Sequence, residues 1–367
     1  MRTVPAPRSG APTLEDVARA AGVSRATVSR VVNGVRNVDT AIARAVRDAV
    51  AATGYVPNRA ARALVTRRTD TLALVVSGAG PEDRDAEFAG RVLGDPFFGR
   101  VVSGVVRALR PRGLHPVLMF AESDEDRGRV LAHLTRGGAD GALLVSTHAR
   151  DPLPGMLAAA GVPAVLFARP PEGVALDHVD LRHHEGGALA AGRLRATGRS
   201  RLAVIAGPAD VPASAERVAG FLAGAAEGGG GAGAGRVPAV VHADFTLAGG
   251  EEAMRRLLDA SPDVDGVFAA NDLMAQGACL VARERGLRVP RDVAVVGFDD
   301  SAAAGASRPR LTTVRQPVED MAVAMVRLLL ERIEGGGGAG EGGRGDAADR
   351  GPTASLFDPV LVVRDSA

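Results

Sequence analysis

Two groups of side chains have types and spacings that could do chemistry. The first lies on one face of SRATVSRVVNG (24–34). There Ser24, Arg25, Thr27, Ser29, Arg30 and Asn33 stand opposite Val28, Val31 and Val32, which recur at helical spacing. Short hydroxyls, an amide and guanidinium groups suit phosphate oxygens and base edges, and they equally suit the solvated face of a small helical bundle. The second group is Arg217, Asn271 and Asp299, set around the ends of successive apolar β-rich runs. Singly they read as a surface residue, a turn residue and a cap. Together they supply the bidentate donors and acceptors that polyhydroxyl recognition requires.

Other chemistries fail on spacing. His178, His183 and His184 stand near Asp177 and Asp180, but they form no HExxH-like ligand pattern and lead straight into a helix, so no metal is expected. There is no GxSxG elbow and no phosphate-binding Walker loop, and Cys279 lies alone in an apolar helical context without a base partner. An enzyme is therefore not expected, nor a cofactor. The runs at 227–235 and 334–351 contain GxGxxG only formally. Neither follows a strand and opens a helix, so both read as flexible surface insertions.

The elements that must position these groups change character at Thr71. Residues 13–66 read as short helices: Thr13 caps the first with Asp16 as a capping-box partner, Leu14, Val17, Ala18 and Ala21 form its stripe, and Gly22 ends it. Ser24 caps the second. A third runs from about Thr40 to Thr53, with Ile42, Val46, Ala49 and Val50 inward and Gly54 as its stop. Two helices joined at Ala21-Gly22-Val23 make a helix-turn-helix candidate. From Thr71, runs such as TLALVVS, HPVLMF, GALLVS, VPAVLF, RLAVIAG, PAVVHA, GVFAA and DVAVVGF alternate with helical stretches, which predicts parallel sheets in two doubly wound lobes. LFDPVLVVRDSA reads as one final strand with a short tail.

Charge divides the chain in the same place. Residues 1–70 carry twelve arginines against five acids, a net +7, while the whole chain is only +1, so the remainder is −6. A basic module on an acidic body suits a polyanion at one end and a different ligand at the other. MRTVPAPRSGAP has no apolar run, and no stretch approaches the ~18 apolar residues of a membrane span. A cytoplasmic protein without membrane contact is expected. A transporter's solute-binding protein would share the body, but the missing export signal and the basic end argue against it.

TLEDVARAAGVSRATVSRVVNG followed by TGYVPNRAARALVTRRTDTLALVV closely resembles the N-terminal signature of the LacI/GalR family of bacterial repressors. The likeness continues through DPFF (95–98), ADGALLVS (139–146), AERVAGFLAG (215–224), FAANDLMAQGA (268–278), VAVVGFDDS (293–301) and LTTVRQP (311–317). It implies an all-α helix-turn-helix head and an α/β body like periplasmic binding proteins, in a homodimer that reads a pseudo-palindromic duplex and answers to a small molecule, a sugar or derivative. The implied organisation is a disordered tail (1–12), the head (13–56), a hinge helix and linker (57–70) and the effector and dimerisation domain (71–367). That domain divides into an N-lobe of about 71–168 and 300–317 and a C-lobe of about 172–298 and 318–367.

The resemblance also distributes roles. Arg25 and Ala26 would read bases, Ser24, Thr27, Ser29 and Asn33 would hold the backbone, and Arg30 would do either; Thr13, Tyr55, Asn58 and Arg62 complete the DNA set. Leu64 would wedge into the minor groove from the hinge helix. The effector would meet Phe97, Phe98, Ser146, Asp180, Arg217, Asn271, Phe298 and Asp299, with Asp272 capping the helix that follows Asn271. The sequence departs from the family pattern in a longer 78–94 link, in Asp95 for the commoner Asn, and in Leu181 where Asn is usual.

Overall fold

A computed structural model describes residues 12–32, 38–56, 68–78, 88–146, 148–227, 237–336 and 351–367. They fall into two compact units, Met1–Asp70 and Thr71–Ala367.

In the first unit, α1 (Leu14–Ala21), α2 (Arg25–Val32) and α3 (Thr40–Thr53) enclose a small core of Val17, Ala18, Val28, Val46 and Ala49. Ile42, expected inward, is 38% exposed, while Val50 packs on the core edge. The capping box at Thr13 and Asp16 is complete. Gly22 takes φ +67, the left-handed turn that releases α1 and lets α2 leave at an angle; a side chain there would be strained. Ser24 accepts the Thr27 amide proton at 3.1 Å and so starts α2.

The second unit holds two six-stranded sheets. The first comprises β1 (Thr71–Ser77), β2 (His115–Ala121), β3 (Ala142–Ser146), β4 (Ala164–Phe167), β5 (Asp177–Leu181) and β11 (Ala354–Phe357), in the order β11-β5-β4-β3-β1-β2. The second comprises β6 (Leu202–Ala206), β7 (Ala239–His242), β8 (Gly266–Ala269), β9 (Ala294–Asp299), β10 (Thr312–Arg315) and β12 (Val360–Val362), in the order β12-β10-β9-β8-β6-β7. All ladders are parallel except β10 with β12. The central strands β1, β3, β4, β6, β8 and β9 are largely continuous apolar runs because helices cover both faces. On the first sheet α5 (Pro96–Leu109), which follows the short α4 (Phe88–Gly94), and α13 (Val318–Gly336) cover one face; α6 (Asp124–Thr135) and α7 (Leu153–Ala159) cover the other. On the second, α8 (His183–Ala196) and α9 (Pro212–Glu227) lie opposite α10 (Leu247–Ala260) and α11 (Asp272–Glu284). Short α12 (Ala302–Ala306) follows β9.

The expected lobe boundaries are corrected in three places. Residues 177–181 stay in the first sheet, paired with β4, and 312–315 lie in the second, paired with β9. Residues 318–336 return to the first lobe as α13, which packs so closely on α5 that a Cβ at Gly104 would sit 2.4 Å from the Glu319 carbonyl oxygen. The single final strand is two: Asp358-Pro359 separates β11 in the first sheet from β12 in the second, because proline cannot continue a ladder. The chain therefore passes between lobes at 181–183, 315–318 and 357–360.

Candidate functional site

Residues at the carboxyl ends of β5 in the first sheet and of β8, β9 and β10 in the second meet at Arg217, a residue of α9 that is only 6% exposed. Its Nε donates to His183 Nδ1 at 3.2 Å, Nη1 to the Ala270 carbonyl at 2.5 Å, and Nη2 to Gln316 Oε1 at 3.0 Å. Nη1 also stands 3.6 Å from Asp299 Oδ1, and the guanidinium carbon lies 3.7 Å above the Phe298 ring centre. A guanidinium carries five N–H donors, so after three hydrogen bonds its terminal nitrogens keep capacity for Asp299 and for a ligand.

Carboxylates outnumber cations here. Asp95, Asp180, Asp272 and Asp299 all act on Arg217, whose burial by itself disfavours its charge. Burial pushes the Asp299 carboxyl upward, with Asp272 and Asp95 adding to the effect and Arg217 opposing it. Burial likewise raises Asp95, the N-cap of α5, against the pull of the Phe97 amide that it accepts at 2.9 Å. Arg100 does not redress the balance: it grips Glu319 through Nε and Nη2 at 2.8 Å each and donates to the Asp299 and Gln316 carbonyls.

Asp299 and Asp300 both sit at positive φ, +104 and +53, which costs a non-glycine residue on the order of 1–3 kcal/mol each. The surroundings enforce it. Arg100 holds the Asp299 carbonyl, Arg315 and Arg364 hold the Asp300 carboxylate, and Asp272 accepts the Ser301 amide at 2.6 Å and the Thr313 hydroxyl at 2.6 Å. Strain held this firmly at a strand end aims the Asp299 carboxyl at Arg217.

The other expected effector residues divide. Phe97 and Phe98 are half-buried edge-to-face neighbours 5.2 Å apart, and Phe97 also meets Phe167 at 5.3 Å. Phe298 is fully buried, so it supports Arg217 rather than offering a face to a ligand. Asn271 takes the capping part expected of Asp272. Asn271 Oδ1 caps α11 through the Met274 amide at 2.9 Å and its Nδ2 donates to the Phe245 carbonyl, while Asp272 is the buried brace. Asp180 accepts the Leu181 amide and lies 3.5 Å from His183 Nε2; Ser146 donates to the His148 carbonyl. His183, Gln316, Arg100 and Asp95 carry no local sequence signal for a place at this site. Gln316 lies within LTTVRQP, and His183 within a histidine cluster that lacks metal-ligand spacing.

On the head, Arg25, Ala26 and Arg30 are exposed on α2, Thr27 and Ser29 are half-buried, and Thr13 and Ser24 are engaged in capping. Arg25 reaches Glu15 at 3.5 Å, an exposed pair that contributes little and yields readily to another anion. Tyr55 packs on the core edge. Asn33, Asn58, Arg62 and Leu64 lie outside the described residues.

Residues 13–58 match the bacterial regulatory proteins of the lacI family, and residues 191–366 match a periplasmic binding protein-like domain. The chain is 48% identical to the HTH-type transcriptional regulator CelR of Thermobifida fusca over 331 residues, 88% of this chain and 92% of that protein. It belongs to the LacI family. It is also 33% identical to the ribose operon repressor of Escherichia coli K12, across 88% of this chain and 93% of that one. Among solved structures it resembles a CelR–cellobiose complex with TM-score 0.70 and 42% identity, covering 97% of this chain and all of the other. It resembles the Lac repressor dimer bound to operator and the anti-inducer ONPF with TM-score 0.78 and 26% identity, covering 97% and 99%. As a LacI-family member the chain is a DNA-binding transcriptional regulator, with the helix-turn-helix in its basic end and the two-lobed α/β body following it in sequence. Among the described residues no helix is long and apolar enough to cross a membrane, and no group of side chains could hold a metal ion.

Proposed function

We propose that this regulator is a repressor whose operator affinity is set by an uncharged polyhydroxyl compound, a β-glucoside disaccharide of the cellobiose kind, bound between the lobes at Arg217. The observation that carries the reading is the buried Arg217–Asp299 pair, built where strand ends of both lobes meet and surrounded by further carboxylates. A fixed donor–acceptor pair suits adjacent hydroxyls. An anionic sugar would bring a further negative charge beside Asp95, Asp180, Asp272 and Asp299, where burial already disfavours the charged form of Asp95 and Asp299. The half-buried rings of Phe97 and Phe98 supply apolar surface beside the polar groups. The similar CelR bound to cellobiose supports the choice of sugar.

On the head, Arg25 and Ala26 are the base-reading positions, and Thr13, Ser24, Thr27, Ser29 and Tyr55 help to seat it on phosphates. Arg30 serves either purpose. Asn33, Asn58 and Arg62 belong to the same set, and Leu64 is the minor-groove wedge. Two-fold pairing fits the first lobe, where Val117 and Leu118 of the edge strand β2 and Val106 of α5 are exposed apolar residues on elements that pack together.

Isothermal titration tests the effector reading. Cellobiose should bind the full chain and glucose 6-phosphate should not, and Arg217→Ala should weaken cellobiose at least about 100-fold, as for loss of a buried charge-assisted contact. Unchanged affinity in that variant, or preference for the phosphate, overturns it.

A further inference from the structure

We infer that His183 and Gln316 are positioning residues through which Arg217 passes its occupancy to two of the three chain crossings between the lobes. The inference rests on the effector reading above and concerns how the site is coupled, not what fills it.

His183 is the first residue of α8, two positions beyond β5 of the first sheet; Gln316 directly follows β10 of the second sheet, before the chain returns as α13. His183 is 4% and Gln316 1% exposed, and both accept a hydrogen bond from the same guanidinium. Arginine can only donate, so His183 Nδ1 must be a bare acceptor and the ring proton must sit on Nε2, where it faces Asp180 Oδ1 at 3.5 Å. A directed chain thus runs from Asp180 at the end of β5, through the imidazole at the crossing, to Arg217 in the second lobe.

Gln316 is held from both sides. Its side-chain oxygen takes Arg217 Nη2, its carbonyl takes Arg100 Nη2 from the first lobe at 3.0 Å, and its amide nitrogen approaches Met321 Sδ of α13 at 3.8 Å.

Packing restricts what Arg217 can do. A Cβ at Gly187 would lie 2.1 Å from the Arg217 carbonyl oxygen, and one at Gly220 would lie 1.8 Å from that of His184. The α8 and α9 backbones are in close contact here, so the guanidinium is the part of Arg217 best placed to answer a ligand. Its motion alters the bonds to His183 and Gln316 together.

The test uses His183→Leu, which removes the acceptor, and His183→Asn, whose carbonyl oxygen replaces Nδ1. DNA affinity is measured on a duplex selected from random sequence by the full chain, with and without cellobiose. Hydrogen exchange is followed at residues 313–320 without sugar. In H183L the cellobiose-induced change in DNA affinity should shrink about fivefold or more, and exchange at 313–320 should rise about tenfold, while H183N stays within about twofold of wild type on both. Gln316→Met, close in volume, should raise exchange reciprocally at 181–186 and covers the case in which H183L does not fold. Wild-type coupling and exchange in H183L, or wild-type exchange in Q316M, overturns the inference. A wild type whose DNA affinity cellobiose does not move contradicts the effector reading, while the sugar-free exchange still decides the relay.

Discussion

The imidazole of His183 is 4% exposed, and burial followed by the nearby Arg217 charge depresses its pKa from 6.5 to about 4, against the opposing pull of Asp180. Between those values the unfolded chain takes up a proton that the folded chain refuses. Its contribution to stability is therefore complete above pH 6.5 and falls as pH drops toward 4. Asp299 and Asp272, raised by burial, act with the opposite sign over an overlapping range, so the effect is best read as a difference between two proteins. The stability advantage of wild type over His183→Asn in urea should shrink by about 2 kcal/mol between pH 7 and pH 4.5. A pH-independent gap contradicts the buried neutral tautomer. Asn271 and Asp299 were visible in the sequence because each lies at a strand end, and Arg217, within α9, through the resemblance carried by AERVAGFLAG. His183 and Gln316 were not: their importance lies in acceptor atoms aimed at a guanidinium 34 and 99 positions away.

Among the elements, the apolar runs were legible and the polar strands were not. β5 is DHVDL and β10 is TTVR, both too polar to read as buried strands. They are buried because each polar group meets a partner: Arg332 pairs with Asp177 at 2.6 and 2.9 Å, and the Thr312 and Thr313 hydroxyls are bonded to the Ala367 carbonyl and to Asp272. Misplacing these two strands is what shifted the expected lobe boundaries. The head, by contrast, was legible almost residue by residue, since caps and stops are local signals. Gly22→Ala should destabilise the head by about 1 kcal/mol through its positive φ alone, as open space surrounds the position. Gly220→Ala should cost about 3 kcal/mol or more, because the new methyl group would meet backbone that cannot yield. Unfolding midpoints in urea check both, and an unchanged midpoint for Gly220→Ala would contradict the close α8–α9 contact.

Across the whole molecule, the division between a +7 end and a −6 remainder anticipates two kinds of partner. Phosphate contacts from the head should make log K for DNA fall by roughly 0.9 per neutralised phosphate with log salt. A flat salt profile in a binding titration would remove the head from the interface. The body has the opposite net charge, and around Arg217 it buries Asp95, Asp180, Asp272 and Asp299 beside one guanidinium. Family membership joins the two ends in one regulator, and the relay from Arg217 to the crossings gives that coupling a physical route. The central claim meets its most direct test in fluorescence anisotropy on the selected duplex, titrated in parallel with cellobiose and glucose 6-phosphate. Cellobiose should change DNA affinity at least about tenfold in wild type and not in Arg217→Ala, with no response to the phosphate. An equal response in Arg217→Ala, or a response to the phosphate alone, would contradict it.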